Sequence, residues 1–114
     1  MKPLITTRAA ALAATMLLAP TTSFANPYVS EWTHEVEYDQ DACVHRAKSA
    51  FVQEGWDHIE VQSKYVTLAD KGKLSGIIVC LYESDSQAIA VAFVAGGPDG
   101  AASSESEALE TDLK

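Results

Sequence analysis

The sequence predicts a small α+β domain, a two-layer sandwich in which one main helix packs on a four-stranded, mainly antiparallel sheet. Two observations lead to this fold class. Several short segments alternate apolar and polar residues with a period of two, which is typical of strands with one face in a core. One segment instead repeats its apolar residues at steps of three and four, which is typical of a helix lying on a sheet. The predicted order is strand, helix, three strands, helix.

The first predicted strand runs from Trp32 to Tyr38. Its two faces differ in polarity: Trp32, His34, Val36 and Tyr38 alternate with Thr33, Glu35 and Glu37. The first set is expected to face the core, with His34 as a core or edge histidine.

The main helix is the best-delimited element of the sequence. Asp39 or Asp41 can cap its start by accepting hydrogen bonds from the free backbone amides. Gly55 fits the left-handed position that ends a helix, and Trp56 follows where a contact back to Phe51 completes the motif. Between these limits lies one apolar stripe, formed by Cys43, Val44, Ala47, Ala50 and Phe51.

Three further strands are predicted, with turn residues between them. The second strand covers residues 57–69 and is expected to bulge where Val66 and Leu68 change face. The third covers about Leu74 to Glu83 and the fourth Ala88 to Ala95. Their connections are short, so they should form an antiparallel meander. The glycine-rich stretch of residues 96–100 should then end the sheet.

A short last helix is expected near the end of the sequence. Ser104 and Glu107 have the spacing of a capping box, so the helix should begin there. Leu109 and Leu113 lie one turn apart on it. With so few apolar residues, this helix is expected to dock weakly.

The first 25 residues have the order of a cleaved secretory signal. Lys2 and Arg8 precede an apolar run of about 11 residues, and the small residues Ser23 and Ala25 lie at the two positions before the cut that the peptidase reads. The run is too short to cross a bilayer core of about 30 Å, which needs about 20 helical residues. We therefore predict cleavage after Ala25, a single mature domain over residues 26–114, no membrane insertion after cleavage, and a periplasmic or secreted location.

The charge balance is strongly acidic. The whole chain has 16 acidic and 8 basic residues, and removal of the signal also removes Lys2 and Arg8. Nucleic acids and anionic membrane faces are bound through basic patches, so neither is an expected partner.

The two cysteines are expected to form one disulfide, Cys43 to Cys80, because cysteines of exported proteins usually pair. Cys43 lies on the helix stripe and Cys80 on the third predicted strand. The bond should therefore attach the main helix to the sheet.

The third strand is apolar on both faces, which predicts a central strand covered on both sides. Opposite Cys80 lie Ile77, Val79 and Leu81, which should lie beside Ile89, Val91 and Phe93 of the fourth strand. The last helix could cover part of this second face. The remainder is a possible interaction face for a homodimer, another envelope protein or a ligand.

The sequence offers little for catalysis. His34, His45 and His58 show no metal-site spacing, and no calcium loop, serine elbow, phosphate loop or paired-cysteine motif is present in the sequence. We therefore expect no cofactor and no enzymatic activity.

The leading hypothesis is a non-enzymatic protein-interaction module, such as an inhibitor, an immunity-type protein or an accessory protein. The alternative is a small-ligand or metal-binding protein that uses these histidines with acids such as Glu35 or Glu60.

Overall fold

The computed structural model describes residues 29–98 and 100–114, so the predicted signal peptide and its cleavage site lie outside the described residues. The α+β class is confirmed, with five strands and two helices. Their bounds are β1 (Val29–Val36), α1 (Gln40–Gln53), β2 (Asp57–Gln62), β3 (Val66–Lys71), β4 (Leu74–Ser84), β5 (Gln87–Gly96) and α2 (Ala101–Leu113). In this part of the chain, neither helix is long and apolar enough to cross a membrane.

The five strands form one antiparallel sheet in the order β1-β5-β4-β3-β2. The apolar strand β4 is central, as predicted, and β3, β4 and β5 form the expected meander. Within the described residues, α1 and α2 both lie on the face of β4 that holds Cys80, and neither helix covers the opposite face. The core fills the space between these helices and the face that holds Cys80.

The prediction of four strands is wrong because residues 57–69 contain two strands. The chain turns at Ser63 and Lys64, whose φ angles of 49° and 74° lie in the left-handed region. Glycine and asparagine normally mark such a turn, and this pair carries neither signal. Val66 and Leu68 therefore belong to a new strand, β3, and not to a bulge in β2.

Helix α1 has the limits and the buried stripe that the sequence predicts. The Asp39 carboxylate accepts a hydrogen bond from the amide of Ala42 at 2.8 Å. Gly55, with φ 78°, ends the helix in the left-handed conformation. Trp56 then packs edge-on against Phe51, with 5.0 Å between ring centroids. Four stripe residues, Cys43, Ala47, Ala50 and Phe51, are buried, and Val44 is partly buried.

The last helix differs from its prediction in start, position and docking. It begins at Ala101 after Gly100, so Ser104 lies inside the helix and forms no capping box. It packs beside α1 and not on the opposite sheet face. Leu109 and Leu113 are fully buried, and this burial fixes the helix firmly.

Polar contacts from the β1 region also hold α2 in place. The indole nitrogen of Trp32 donates to the carbonyl of Ser106 at 2.9 Å. The Tyr38 hydroxyl donates to the carbonyl of Leu113 at 2.6 Å. Both side chains belong to the set of the first predicted strand that was expected to face the core. Their hydrogen bonds to α2 add to the contacts of its few leucines, which explains why the helix docks more firmly than predicted.

The predicted disulfide between Cys43 and Cys80 is present, with 5.9 Å between the two Cα atoms. Both cysteines are fully buried. The bond joins α1 to the central strand, as the sequence predicts, and closes a loop of 37 residues in sequence.

Candidate interaction surface

The sheet face away from both helices carries a continuous apolar surface, which we call the open face. It consists of eight side chains from three adjacent strands: Val66 and Leu68 of β3; Ile77, Val79 and Leu81 of β4; and Ile89, Val91 and Phe93 of β5. The strand register aligns the predicted pairs, Ile77 with Phe93, Val79 with Val91 and Leu81 with Ile89. The six residues predicted as one face are thus brought together.

The two β3 residues were not predicted to belong to this surface. Leu68 lies opposite Ile77, and Val66 lies opposite Val79. Each strand contributes one column of apolar side chains to the open face, so β3 adds a third column to those of β4 and β5. Their alternation with Thr67 and Ala69 is visible in the sequence, but the unrecognised turn at Ser63 assigned them to the wrong strand.

No element of the described chain lies over the open face. Leu81 and Phe93 remain 46% and 41% exposed, and the other six side chains are half-buried. Strand spacing of about 4.8 Å and a rise of about 3.3 Å per residue give the surface an area of roughly 300 Å². This lies at the lower end of the range of roughly 300–600 Å² for the largest apolar patch of a typical monomer, and such patches are often functional.

Acidic side chains border the open face on two sides. On β1, Glu31 is aligned with Phe93 and Glu35 with Ile89. On the other side, Glu60 of β2 is aligned with Leu68. All three glutamates are exposed. An acidic rim therefore flanks the apolar columns on both outer strands.

Glu83 adds a fourth carboxylate to this rim, next to Glu35. It lies where the pairing of β4 with β5 is irregular, between Tyr82 and Ser84. Desolvation and the neighbouring Glu35 carboxylate raise the pKa of Glu83. In the five described strands, no residue that faces this side of the sheet is a lysine or arginine. The rim is consequently anionic, with His58 as its one basic group among these residues.

His58 lies on the β2 edge and contacts one acid directly. Its Nδ1 atom is 2.9 Å from Oδ1 of Asp70. The hydrogen bond with Asp70, assisted by the charges of Asp70 and Asp57, raises the pKa of His58. The residue also has a left-handed backbone, with φ 54°. Its side chain is exposed, so this contact is an edge ion pair when the ring is protonated.

The other two histidines lie elsewhere. His34 is on the opposite edge strand, on the helix-covered face, with Nε2 2.6 Å from Oε2 of Glu110 in α2. His45 is exposed on α1. Among residues 29–98 and 100–114, no three potential metal ligands cluster. The structure therefore does not bring His34, His45 and His58 into one site, and the acids Glu35 and Glu60 lie on opposite edges.

One cleft lies between the end of β1, α1 and the end of α2, with a volume of about 420 Å³. Tyr38 and Arg46 form one wall, with the guanidinium carbon 4.3 Å from the centre of the phenol ring. Burial raises the pKa of Tyr38, and the charge of Arg46 partly opposes this effect. The Tyr38 hydroxyl already donates to Leu113, so its main contact in this cleft is structural.

A second polar cluster joins the ends of the two helices. Lys71 donates to the carbonyl of Glu54 at 2.6 Å and to the carboxylate of Glu105 at 2.9 Å. A side-chain hydrogen bond with Asp112, then desolvation and the negative charges of Asp112 and Glu105, raise the pKa of Glu54, and Lys71 opposes them. One carboxylate oxygen of Asp112 is buried without a hydrogen-bond partner. The carboxyl groups of Glu54, Glu105 and Asp112 thus lie close together, and Lys71 forms an ion pair with one of them, Glu105.

No protein-family model matches this chain, and no curated protein is significantly similar to it.

Proposed function

We propose that this protein is a non-enzymatic, exported protein-interaction module, of the inhibitor, immunity or accessory kind, and that the open face is its binding surface. The observation that supports this proposal is the placement of both helices on one side of the sheet. Eight apolar side chains are left on the other side without a covering element in the described chain. A β-sheet normally covers such a face or makes it polar.

The size of the open face suits a partner of modest contact area. Covering roughly 300 Å² of apolar surface gives a gross gain of about 7 kcal/mol at about 25 cal/mol per Å². Association costs roughly 4 kcal/mol or more in lost translational and rotational freedom. The apolar contact alone therefore supports weak binding, and a stable complex also needs the acidic rim to contribute.

The histidines support the alternative function less well. A metal or small-ligand site needs several convergent polar groups in a concave site. His34 and His58 lie on opposite edge strands, each beside its own carboxylate. We therefore base the proposal on the open face.

Site-specific photo-crosslinking tests the proposal in the compartment where the protein resides. A photoreactive phenylalanine analogue replaces Phe93 on the open face, and in a matched control it replaces Val52, which is 62% exposed on α1. We expect a discrete protein adduct from position 93 and none from position 52. The proposal is contradicted if neither position gives an adduct, or if both give the same adducts in equal yield.

A further inference from the structure

We infer that the partner of the open face is a cationic amphipathic helix of another protein, with its apolar stripe on the open face and lysines or arginines along both flanks. This inference rests on the proposed function and specifies its partner. It is carried by the dimensions of the open face, by the charge of its rim and by the features that oppose a second copy of the chain.

The dimensions fit one helix. The apolar columns of β3, β4 and β5 span about 10 Å from the first strand axis to the third. An α-helix with its side chains is about 10–12 Å in diameter. Along the strands, the columns are roughly 13 Å long between the first and last aligned rows, which corresponds to about nine helical residues at 1.5 Å each. A single helix lying along the strands would therefore fill the apolar columns.

The charge of the acidic rim then indicates which charges the partner helix should carry. Glu31 and Glu35 flank one side of the columns, with Glu83 beside them, and Glu60 flanks the other side. A helix between these rims places its own flanking side chains next to carboxylates. Basic residues there are attracted, whereas acidic residues are repelled. Complementary charge therefore selects a helix with basic flanks and an apolar stripe.

A second copy of the chain fits this surface poorly. A stable interface buries about 800 Å² per partner, well above the roughly 300 Å² of the open face. Two copies placed face to face would also bring acidic rims together. Antiparallel pairing of two β1 edges centred on Thr33 would set Glu31 of one copy opposite Glu35 of the other, and like charges directly opposite destabilise a strand pair.

The direct test titrates the full mature protein with three synthetic peptides of about 14 residues, followed by backbone-amide NMR. The first peptide has leucines at helical steps of three and four and lysines elsewhere. The second has the same leucines with glutamates in place of the lysines. The third has the composition of the first in scrambled order, so that it keeps the charge without the apolar stripe. We expect the first to shift amides of β3, β4 and β5 and to bind at least tenfold more tightly than either of the others.

Matched charge variants separate the rim from the net charge of the protein. Glu31→Gln with Glu35→Gln is expected to weaken binding of the leucine–lysine peptide roughly fivefold, since each exposed ion pair contributes modestly. Asp41→Asn with Glu107→Gln removes the same charge from the exposed side of the helices and should leave binding unchanged. Added salt should weaken binding to the wild type more than to the Glu31/Glu35 variant.

Three results would overturn the inference: equal binding of the glutamate peptide, equal loss of affinity in both double variants, or peptide-induced shifts confined to the helices. A dimer seen by analytical ultracentrifugation and dissociated by Val79→Asp would also overturn it, because the occupant would then be a second copy. A partner adduct at position 93 in any of these cases would leave the proposed function standing without a cationic partner. Absence of that adduct would remove the proposed function itself.

Discussion

Gly76 is a position at which the structure makes a specific energetic prediction. It lies on the helix-covered face of β4, between Ala69 and Val94 of the neighbouring strands. A Cβ atom placed there would lie 2.8 Å from a ring carbon of Trp56 and 2.9 Å from a ring carbon of Phe51. The two rings cover the missing side chain, so β4 has glycine here because the aromatic pair occupies the space.

Two opposing effects decide the outcome of Gly76→Ala. Alanine restricts the unfolded chain and suits a strand better than glycine, which favours the variant by about 0.5–1 kcal/mol. Overpacking a closed core costs about 1–3 kcal/mol. Phe51 is fully buried and Trp56 is 4% exposed, so neither ring has free space beside it. We expect the clash to prevail, with a net loss of about 1–2 kcal/mol and a fall in Tm of roughly 5–15 °C.

Urea denaturation of the oxidised protein, followed by tryptophan fluorescence, measures this loss. Ser75→Ala is the matched control, because Ser75 is the exposed neighbour on the opposite face, and it should change stability by less than about 0.5 kcal/mol. Phe51→Leu combined with Gly76→Ala should recover part of the loss, giving a favourable coupling energy between the two sites. The packing argument is refuted if Gly76→Ala is as stable as the wild type, or if the two substitutions are simply additive.

Three other predictions concern the features that hold the fold together. Replacing Cys43 and Cys80 by alanine should lower the free energy of unfolding by about 3–4 kcal/mol for a crosslink of this span, and a thiol titration of the unfolded, oxidised wild type should find no free thiol. Leu109→Ala should cost about 2–5 kcal/mol and speed amide exchange in α2 before other elements, whereas uniform acceleration would show that α2 is not a separate unit. Because the folded state raises the pKa of Glu54 above its ordinary 4.5, it binds that proton more tightly than the unfolded chain, so this group adds stability as the pH falls from neutral to 4.5. Asp112→Asn should stabilise the protein at pH 7 and flatten this pH dependence in urea titrations, and an unchanged pH slope would contradict the assigned contact.

The elements predicted best are those whose local signals agree with one another. For α1, the Asp39 cap, the apolar stripe around Ala47 and the Gly55 stop all specify the same helix. Tertiary packing favours that helix as well, so the local signals and the fold agree. The disulfide followed equally directly, because only two cysteines were available and the predicted export favours their pairing. The alignment of Val79 with Val91 depended only on short antiparallel connections.

The errors have two physical origins: the missed strand end comes from a local turn, and the misplaced last helix comes from contacts distant in sequence. The turn at Ser63 adopts a left-handed backbone without glycine, so the alternating pattern hid a strand end. The docking of α2 depends on Trp32 and Tyr38, which lie more than 70 residues away in sequence. The apolar residues of α2 do not show on which face of the sheet the helix packs. The sequence therefore could not predict that α2 leaves the open face uncovered.

The role of Gly76 was likewise absent from the sequence pattern. An isolated glycine in a strand can mark a bulge or a close approach of another group. Only the positions of Phe51 and Trp56 in the fold identify the second case here. The contact links the end of α1 to the central strand.

The most direct test of the central claim is the effect of Val79→Asp on partner capture by the photoreactive analogue at position 93. Val79 lies at the middle of the open face and is only half-buried, so the variant should keep the circular dichroism spectrum and most of the thermal stability of the wild type. Val52→Asp on α1 is the matched control. We predict that Val79→Asp abolishes the adduct while Val52→Asp leaves its yield unchanged. A folded Val79→Asp variant that captures the same partner in undiminished yield would contradict the assignment of the open face as the binding surface.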